Sequence, residues 1–155
     1  DAGYGFVSTI GDLQTKNKSG KAALKVPESA QALFPQPVLT REDQIAAISS
    51  EGRMLVFPVK ELPELARGKG NKIINIPKKR YQAGEEKLTA IAVLGEGREL
   101  KLFSGKRHFT IKAKDLEKFE GSRGLRGTFL PKGFRNVDSV EVVTKPTAEI
   151  NKEED

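Results

Sequence analysis

Three short stretches combine glycine with lysine or arginine. They are Lys18-Ser19-Gly20-Lys21, Arg67-Gly68-Lys69-Gly70 with Lys72 just beyond it, and Arg123-Gly124-Leu125-Arg126-Gly127. Glycine lets a turn take positive φ and brings the backbone close to a ligand. Successive backbone N–H groups in such a turn form a concavity for anions. Flanking Lys18, Lys21, Arg67, Lys69, Lys72, Arg123 and Arg126 add charge. The chemistry on offer is phosphate contact. One such turn is equally well an ordinary β-turn with solvated charges; three at one point of a repeat favour phosphate. Lys78-Lys79-Arg80, expected in a loop after Pro77, and Lys106-Arg107, expected at a hairpin corner, either extend this charge or simply solvate their loops. Lys132 and Arg135 flank Gly133 and carry a weaker version of the same signal.

Other chemistries find little to work with. There is no cysteine and a single histidine, His108, which is expected at a strand start, either exposed or neighbouring a phosphate. Thiolate metal sites, disulfides and most nucleophilic triads are therefore excluded. The chain implies no catalytic residue, metal or cofactor of its own. Ser19-Gly20-Lys21-Ala22 superficially suggests a nucleotide loop. That loop needs Gly five positions before its second Gly and Ser or Thr after its Lys, where this chain has Thr15 and Ala22. Tyr4 and Tyr81 are poor nucleophile candidates, with Tyr4 expected to pack. Glu85-Glu86 reads as loop solvation. No apolar run approaches a membrane span, and the N-terminus lacks a signal pattern, so a cytoplasmic protein is expected. The net charge is +6. It is unevenly spread: residues 61–110 carry 11 basic and 6 acidic side chains, whereas residues 146–155 carry 1 and 4. A basic body attracts polyanions. The acidic segment, with Pro146, reads as a disordered tail.

The elements that must hold these turns are strands. Short apolar and β-branched runs cover Phe6–Ile10, Ile45–Ser49, Met54–Val59, Lys72–Ile76, Leu88–Leu94, Glu99–Ser104, His108–Lys112 and Val137–Val143. Several alternate with period 2, as in Leu100-Lys101-Leu102-Phe103, and turn residues bound them. Helical turns are expected only at Ala30–Leu33 and Asp115–Phe119. A pattern recurs three times: a β run, an acidic-Leu pair, a Gly/basic turn, then another β run. The pairs are Asp12-Leu13, Glu61-Leu62 and Asp115-Leu116, with the leucines 49 and then 54 positions apart. The outgoing runs are Ala22–Val26, Lys72–Ile76 and Thr128–Leu130. Four strands per repeat of about 50 residues describes a blade of a propeller-like array. The expected organisation is an all-β partial array over 1–145. It has a partial blade at 1–29, blades at 30–77 and 84–130, a last strand at 137–143, and the tail at 146–155. The phase of the repeat suggests that further blades precede it, or that a strand exchange closes the ring.

Four stretches carry a resemblance: Asp1-Ala2-Gly3-Tyr4-Gly5-Phe6; Gly52-Arg53-Met54-Leu55-Val56-Phe57-Pro58-Val59; Arg67-Gly68-Lys69-Gly70-Asn71-Lys72-Ile73-Ile74-Asn75-Ile76-Pro77; and Gly121-Ser122-Arg123-Gly124-Leu125-Arg126-Gly127-Thr128. Here the chain resembles the C-terminal region of the A subunit of bacterial type IIA topoisomerases, of the topoisomerase IV type. The resemblance implies a β-pinwheel, a propeller-like ring whose blades exchange strands. It implies a non-catalytic part that binds and bends duplex DNA around its rim. It also implies two partners: a breakage-reunion core in the same polypeptide, carrying the catalytic tyrosine, and a separate ATPase B subunit. The Gly/basic turns match the place of the family's Gly/Arg box in degenerate form, which implies bending rather than strong wrapping.

Two other readings compete. Propeller-like rings also serve as protein docking platforms, and a basic β-barrel also suits RNA. No recognition helix or zinc finger is present for base readout. The eight Phe and two Tyr fall mostly at core-like positions, which argues against a single-strand stacking platform.

Overall fold

The computed structural model describes residues 1–143. The acidic segment 146–155, expected as a tail, lies outside the described residues. The elements run β1 (Tyr4–Gly5), α1 (Ile10–Leu13), β2 (Gln44–Ser49), β3 (Arg53–Pro58), β4 (Asn71–Lys72), α2 (Lys78–Gln82), β5 (Leu88–Leu94), β6 (Glu99–Ser104), β7 (Arg107–Ile111), α3 (Ala113–Leu116), β8 (Thr128–Phe129) and β9 (Ser139–Val143). Short 3-10 turns cover Val59–Glu61 and Glu117–Phe119.

Period-2 patterning decides how these strands pack. In β2, Ala46 and Ile48 face one core while Ile45 and Ala47 face another; in β3, Met54 and Val56 oppose Leu55 and Phe57 in the same way. Both faces of this hairpin are therefore covered, which explains its unbroken apolar run. Leu62, Ile73, Ile74, Ile76 and Leu88 cover one side. Leu100, Leu102, Ile111, Leu116 and Leu130 cover the other. In β6 only Leu100 and Leu102 are buried, and Lys101 and Phe103 look outward.

The sheets draw on successive repeats. The four-stranded sheet has the order β5-β2-β3-β8 and the three-stranded sheet the order β7-β6-β9. The β2–β3 hairpin is thus completed on one side by β5 and on the other by β8, both from later in the chain, and all its pairings are antiparallel. β9 completes the β6–β7 hairpin in the way β5 completes β2–β3. β1 and β4 pair as β3 and β8 do. Residues Val7↔Glu64 and Val56↔Glu120 make matching parallel bridges.

The repeated acidic-Leu pair is a helical turn. α1 ends at Leu13, the Val59–Glu61 turn precedes Leu62, and α3 ends at Leu116. Leu62 and Leu116 are buried, but Leu13 is exposed. Exposed large apolar side chains concentrate in the first 40 residues: Ile10, Leu13, Leu24, Val26, Phe34 and Leu39.

Several local expectations need correction. The run Phe6–Ile10 is not a continuous strand: β1 ends at Gly5, only Val7 makes a further bridge, to Glu64, and Thr9 caps α1 by accepting a hydrogen bond from Asp12 N at 3.1 Å. Ala30–Leu33 forms no helix. Ser29 takes φ +65°, and Gln31 is pinned to Asp1 through Gln31 N to Asp1 Oδ1 at 3.1 Å. Lys72–Ile76 pairs only at Asn71–Lys72, because Ile73 N donates to Gly3 O and Asn75 N to Leu125 O. Ala22–Val26 contributes a single bridge, Leu24↔Gly68. β9 begins at Ser139 instead of Val137. The aromatics are also less uniformly interior than expected: Phe57 and Phe119 are buried, while Phe34 and Phe129 are exposed.

Candidate nucleic-acid interface

The second Gly/basic turn is hydrogen-bonded to the chain leaving the first, and the third to the chain leaving the second. Lys25 N donates to Gly68 O at 2.8 Å, and Gly68 N donates to Ala23 O at 2.9 Å. This ties the first turn's outgoing segment to the second turn. Gly124 N donates to Ile73 O at 2.9 Å, and Asn75 N to Leu125 O at 2.9 Å. Arg123 Nη1 donates to Lys72 O at 2.8 Å. These bonds tie the second turn to the third. The ladder needs glycine at its closest approaches. Gly70 has φ +81°, and an added Cβ would collide with the Gly5 carbonyl. Gly127 has φ +78°, and its Cβ would lie 2.7 Å from Met54 O.

Along this track Lys18, Lys21, Arg67, Lys69 and Lys72 are exposed, and Arg123 is half-buried. Lys21 Nζ donates to the Asp12 carbonyl. Lys69 Nζ sits 3.9 Å from the centroid of the Tyr4 ring, a cation–π contact that fixes the ammonium above the β1–β4 pair. Lys25 is also exposed and belongs to the track. Sequence reasoning missed it because it lies past the first turn, on a run expected to be a strand; its spacing from Lys21 carries no signal.

Arg80 and Arg126 are placed differently. The expected loop at Lys78-Lys79-Arg80 is the helix α2. Pro77 supplies φ −57° at its cap, and Tyr81 N donates to Pro77 O at 3.0 Å. Lys78 and Lys79 are exposed on it. Arg80 turns inward to pair with Glu51, with Glu85 at 3.4 Å and with Glu86 at 3.2 Å. Arg126 Nη1 donates to Glu86 Oε1 at 2.7 Å and to Asn75 O at 2.7 Å, and its Nη2 lies 3.3 Å from Glu51 Oε2. Glu86, expected to be a solvated loop acid, is fully buried. Burial, the largest single influence, pushes its carboxyl up. The Arg126 hydrogen bond and charge, with Ser49 and Arg80, outweigh burial and hold it below the ordinary carboxylate range. These two arginines fasten the third turn and α2 to the hairpin bearing Glu51.

Lys106 and Arg107 are exposed at the β6–β7 corner, as is His108. None of the contacts of these three residues reaches the turns directly. Among the described residues, no group of three or more His, Cys, Asp or Glu could hold a metal ion. Among them too, no helix is long and apolar enough to cross a membrane.

Three comparisons with known proteins agree with this architecture. Residues 43–94 match the family described as DNA gyrase C-terminal domain, beta-propeller. The chain is 50% identical over 147 residues to the A subunit of DNA topoisomerase 4 from Pseudomonas aeruginosa, covering 94% of this chain and 20% of that protein. It is 44% identical over 142 residues to the Escherichia coli K12 protein of the same name, covering 92% and 19%. The chain therefore spans about a fifth of the length of these relatives. Among solved structures, the E. coli ParC C-terminal domain superposes with a TM-score of 0.85 at 43% identity, covering 93% of this chain and 58% of that one. The C-terminal domain of DNA topoisomerase IV in a second crystal structure gives 0.77 at 17% identity, covering 99% and 50%, a likeness of fold.

Proposed function

Because this chain belongs to the family of C-terminal domains found in the A subunits of DNA gyrase and topoisomerase IV, we propose that it binds and bends duplex DNA along its three stitched Gly/basic turns. The observation that carries this reading is the hydrogen-bonded ladder from Ala23 and Lys25 through Gly68 to Lys72 and Arg123. It makes one basic track out of turns that sequence separates by about 50 residues. Lys18, Lys21, Lys25, Arg67, Lys69, Lys72 and Arg123 supply charge at fixed backbone positions, and Lys78 and Lys79 flank the track on α2. Phosphate contacts carry no sequence information, so binding is expected to be sequence-tolerant. Within the parent protein this piece presents duplex segments to a breakage-reunion core in the same polypeptide, which works with an ATPase B subunit. It tunes which DNA crossings are relaxed or decatenated. Arg80 and Arg126 serve this function by holding the track, not by touching DNA.

The test is duplex affinity against salt concentration for the parent chain and for a variant with Arg67, Lys69 and Lys72 changed to Glu. Each lost phosphate contact removes about 0.9 from the logarithmic salt slope. The variant is expected to lose about 3 in slope, equally for unrelated sequences. Unchanged slope and affinity would leave the turns as solvated loops and the reading without support.

A further inference from the structure

Beyond the third turn the structure carries a feature that the turn track does not include. Arg53 Nη1 donates to Gly127 O at 3.2 Å, which joins it to the last glycine of that turn. The Arg53 guanidinium carbon stands 3.9 Å from the Phe129 ring centroid, and that of Arg135 stands 4.5 Å from the same ring. The next residue back, Phe134, has the Arg107 guanidinium carbon 5.4 Å from its centroid. Arg107 Nη2 donates to Gly133 O at 2.9 Å, and Arg135 Nε to Leu130 O at 3.4 Å. The loop bearing Gly133, Phe134 and Arg135 is seated against Gly52, where any Cβ would collide with Arg135. The result is a run of neighbouring guanidinium and aromatic groups from the third turn to the β6–β7 corner.

The chemistry of these arginines differs from that of Arg80 and Arg126. Arg107 and Arg135 are exposed, and among the described residues no carboxylate forms an ion pair with either. A guanidinium stacked on an aromatic ring keeps its in-plane N–H groups available. Each of these two spends one nitrogen on a backbone carbonyl, Arg107 on Gly133 and Arg135 on Leu130, and its other N–H groups have no hydrogen-bond partner among the described residues. Fixed forks with no internal counter-charge match the oxygens of a phosphodiester. Phe129 and Phe134 carry the stacked guanidiniums, so base stacking is not their task.

Resting on the DNA-binding reading above, we infer that Arg107 and Arg135, aligned by Phe134 and Phe129 and linked to the track through Arg53, form a second phosphate-contacting surface for the same duplex. This surface extends the DNA path past the third turn to the corner of the last hairpin.

The experiment compares the parent chain, Arg107→Gln/Arg135→Gln, and the Arg67/Lys69/Lys72→Glu variant on a long duplex of about three helical turns. The double Gln variant is expected to bind the long duplex about tenfold more weakly at low salt, with a slope shallower by about 2. Parent-like binding of the long duplex by the Gln variant, with a loss in the turn variant, overturns this inference and leaves the turn track standing. Parent-like binding by both overturns the DNA reading itself. Should the Gln variant unfold, arginine-specific modification of the parent chain decides the question. Protection of Arg107 and Arg135 by the long duplex supports the surface, and full reactivity at saturating duplex overturns it.

Discussion

At the scale of single residues, the exposed charge of the turns rests on charge that is hidden. Arg126 lies in the third Gly/basic turn, yet its guanidinium is spent on Asn75, Glu86 and Glu51. Glu86 is the centre of this arrangement, being fully buried and bonded to both Arg126 and Arg80. A hydrogen bond to a charged group contributes roughly 1.5–3 kcal/mol. Glu86→Gln is therefore expected to lower the unfolding free energy by about that amount at pH 7, because both arginines lose their buried counter-charge. Burial alone would raise the Glu86 carboxyl, but its arginine partners win and hold it low. A carboxyl depressed in the folded state stabilises at pH values above its unfolded pKa of about 4.3, and that contribution fades as pH falls through the folded value. The difference between parent and variant should be full at pH 7 and shrink progressively below about pH 4, read by urea unfolding. A constant difference across that range would mean that Glu86 acts through packing and not through charge.

At the scale of elements, the glycines separate turns that must be tight from turns that are merely permissive. Gly20 and Gly70 share nearly the same φ, +82° and +81°, but a Cβ at Gly20 would meet open space while one at Gly70 would strike the Gly5 backbone. Gly20→Ala should cost only the left-handed penalty of about 1–2 kcal/mol. Gly70→Ala should cost clearly more and uncouple β1 from β4, with a larger drop in Tm and weaker DNA binding through displaced Lys69 and Lys72. Similar Tm values for the two variants would show that β1–β4 pairing tolerates the shift. The same contrast explains what could be read from the sequence. β5 and β6 stand at Leu88–Leu94 and Glu99–Ser104, where composition and alternation put them, because burial of a face imposes a period. The repeat was legible because the acidic-Leu pairs recur at a regular interval. Helices α1 and α2 were not, since one turn of helix is too short to show a period, and α2 depends on Pro77 together with the pairing of Arg80 to Glu51 and Glu86. The ion-pair cluster left no trace either. Glu51, Arg80, Glu86 and Arg126 come together only through the exchange that brings β5 and β8 to the β2–β3 hairpin. Strand exchange also explains why Lys72–Ile76 reads as a strand and is not one: its side chains fill a core while its backbone bonds are shared among Gly3, Gly124 and Leu125.

At the scale of the whole molecule, the path proposed for bound DNA depends on how the turns are joined. Blades of a propeller are set around a central axis, so turns at one point of successive repeats cannot all lie along a straight rod. On the proposed reading, a duplex held at one turn would stay straight, whereas one held at all three would bend with them. Smooth bending of a short site costs on the order of 1–6 kcal/mol, which several phosphate contacts offset. Affinity and bending should therefore respond differently to loss of one end of the track. Arg123 is the residue to change, because it both borders the third turn and donates to Lys72 O. Arg123→Glu is expected to weaken binding only severalfold, since the first two turns still hold phosphates, while the end-to-end distance of the bound duplex returns toward that of free DNA. Fluorescence energy transfer between the ends of a duplex of about three helical turns reads this directly. Loss of affinity with an unchanged bend would place the bending force in the first two turns and make the third a contact like the others. Loss of both together would mean that the three turns grip the duplex as one unit, as their shared backbone hydrogen bonds permit.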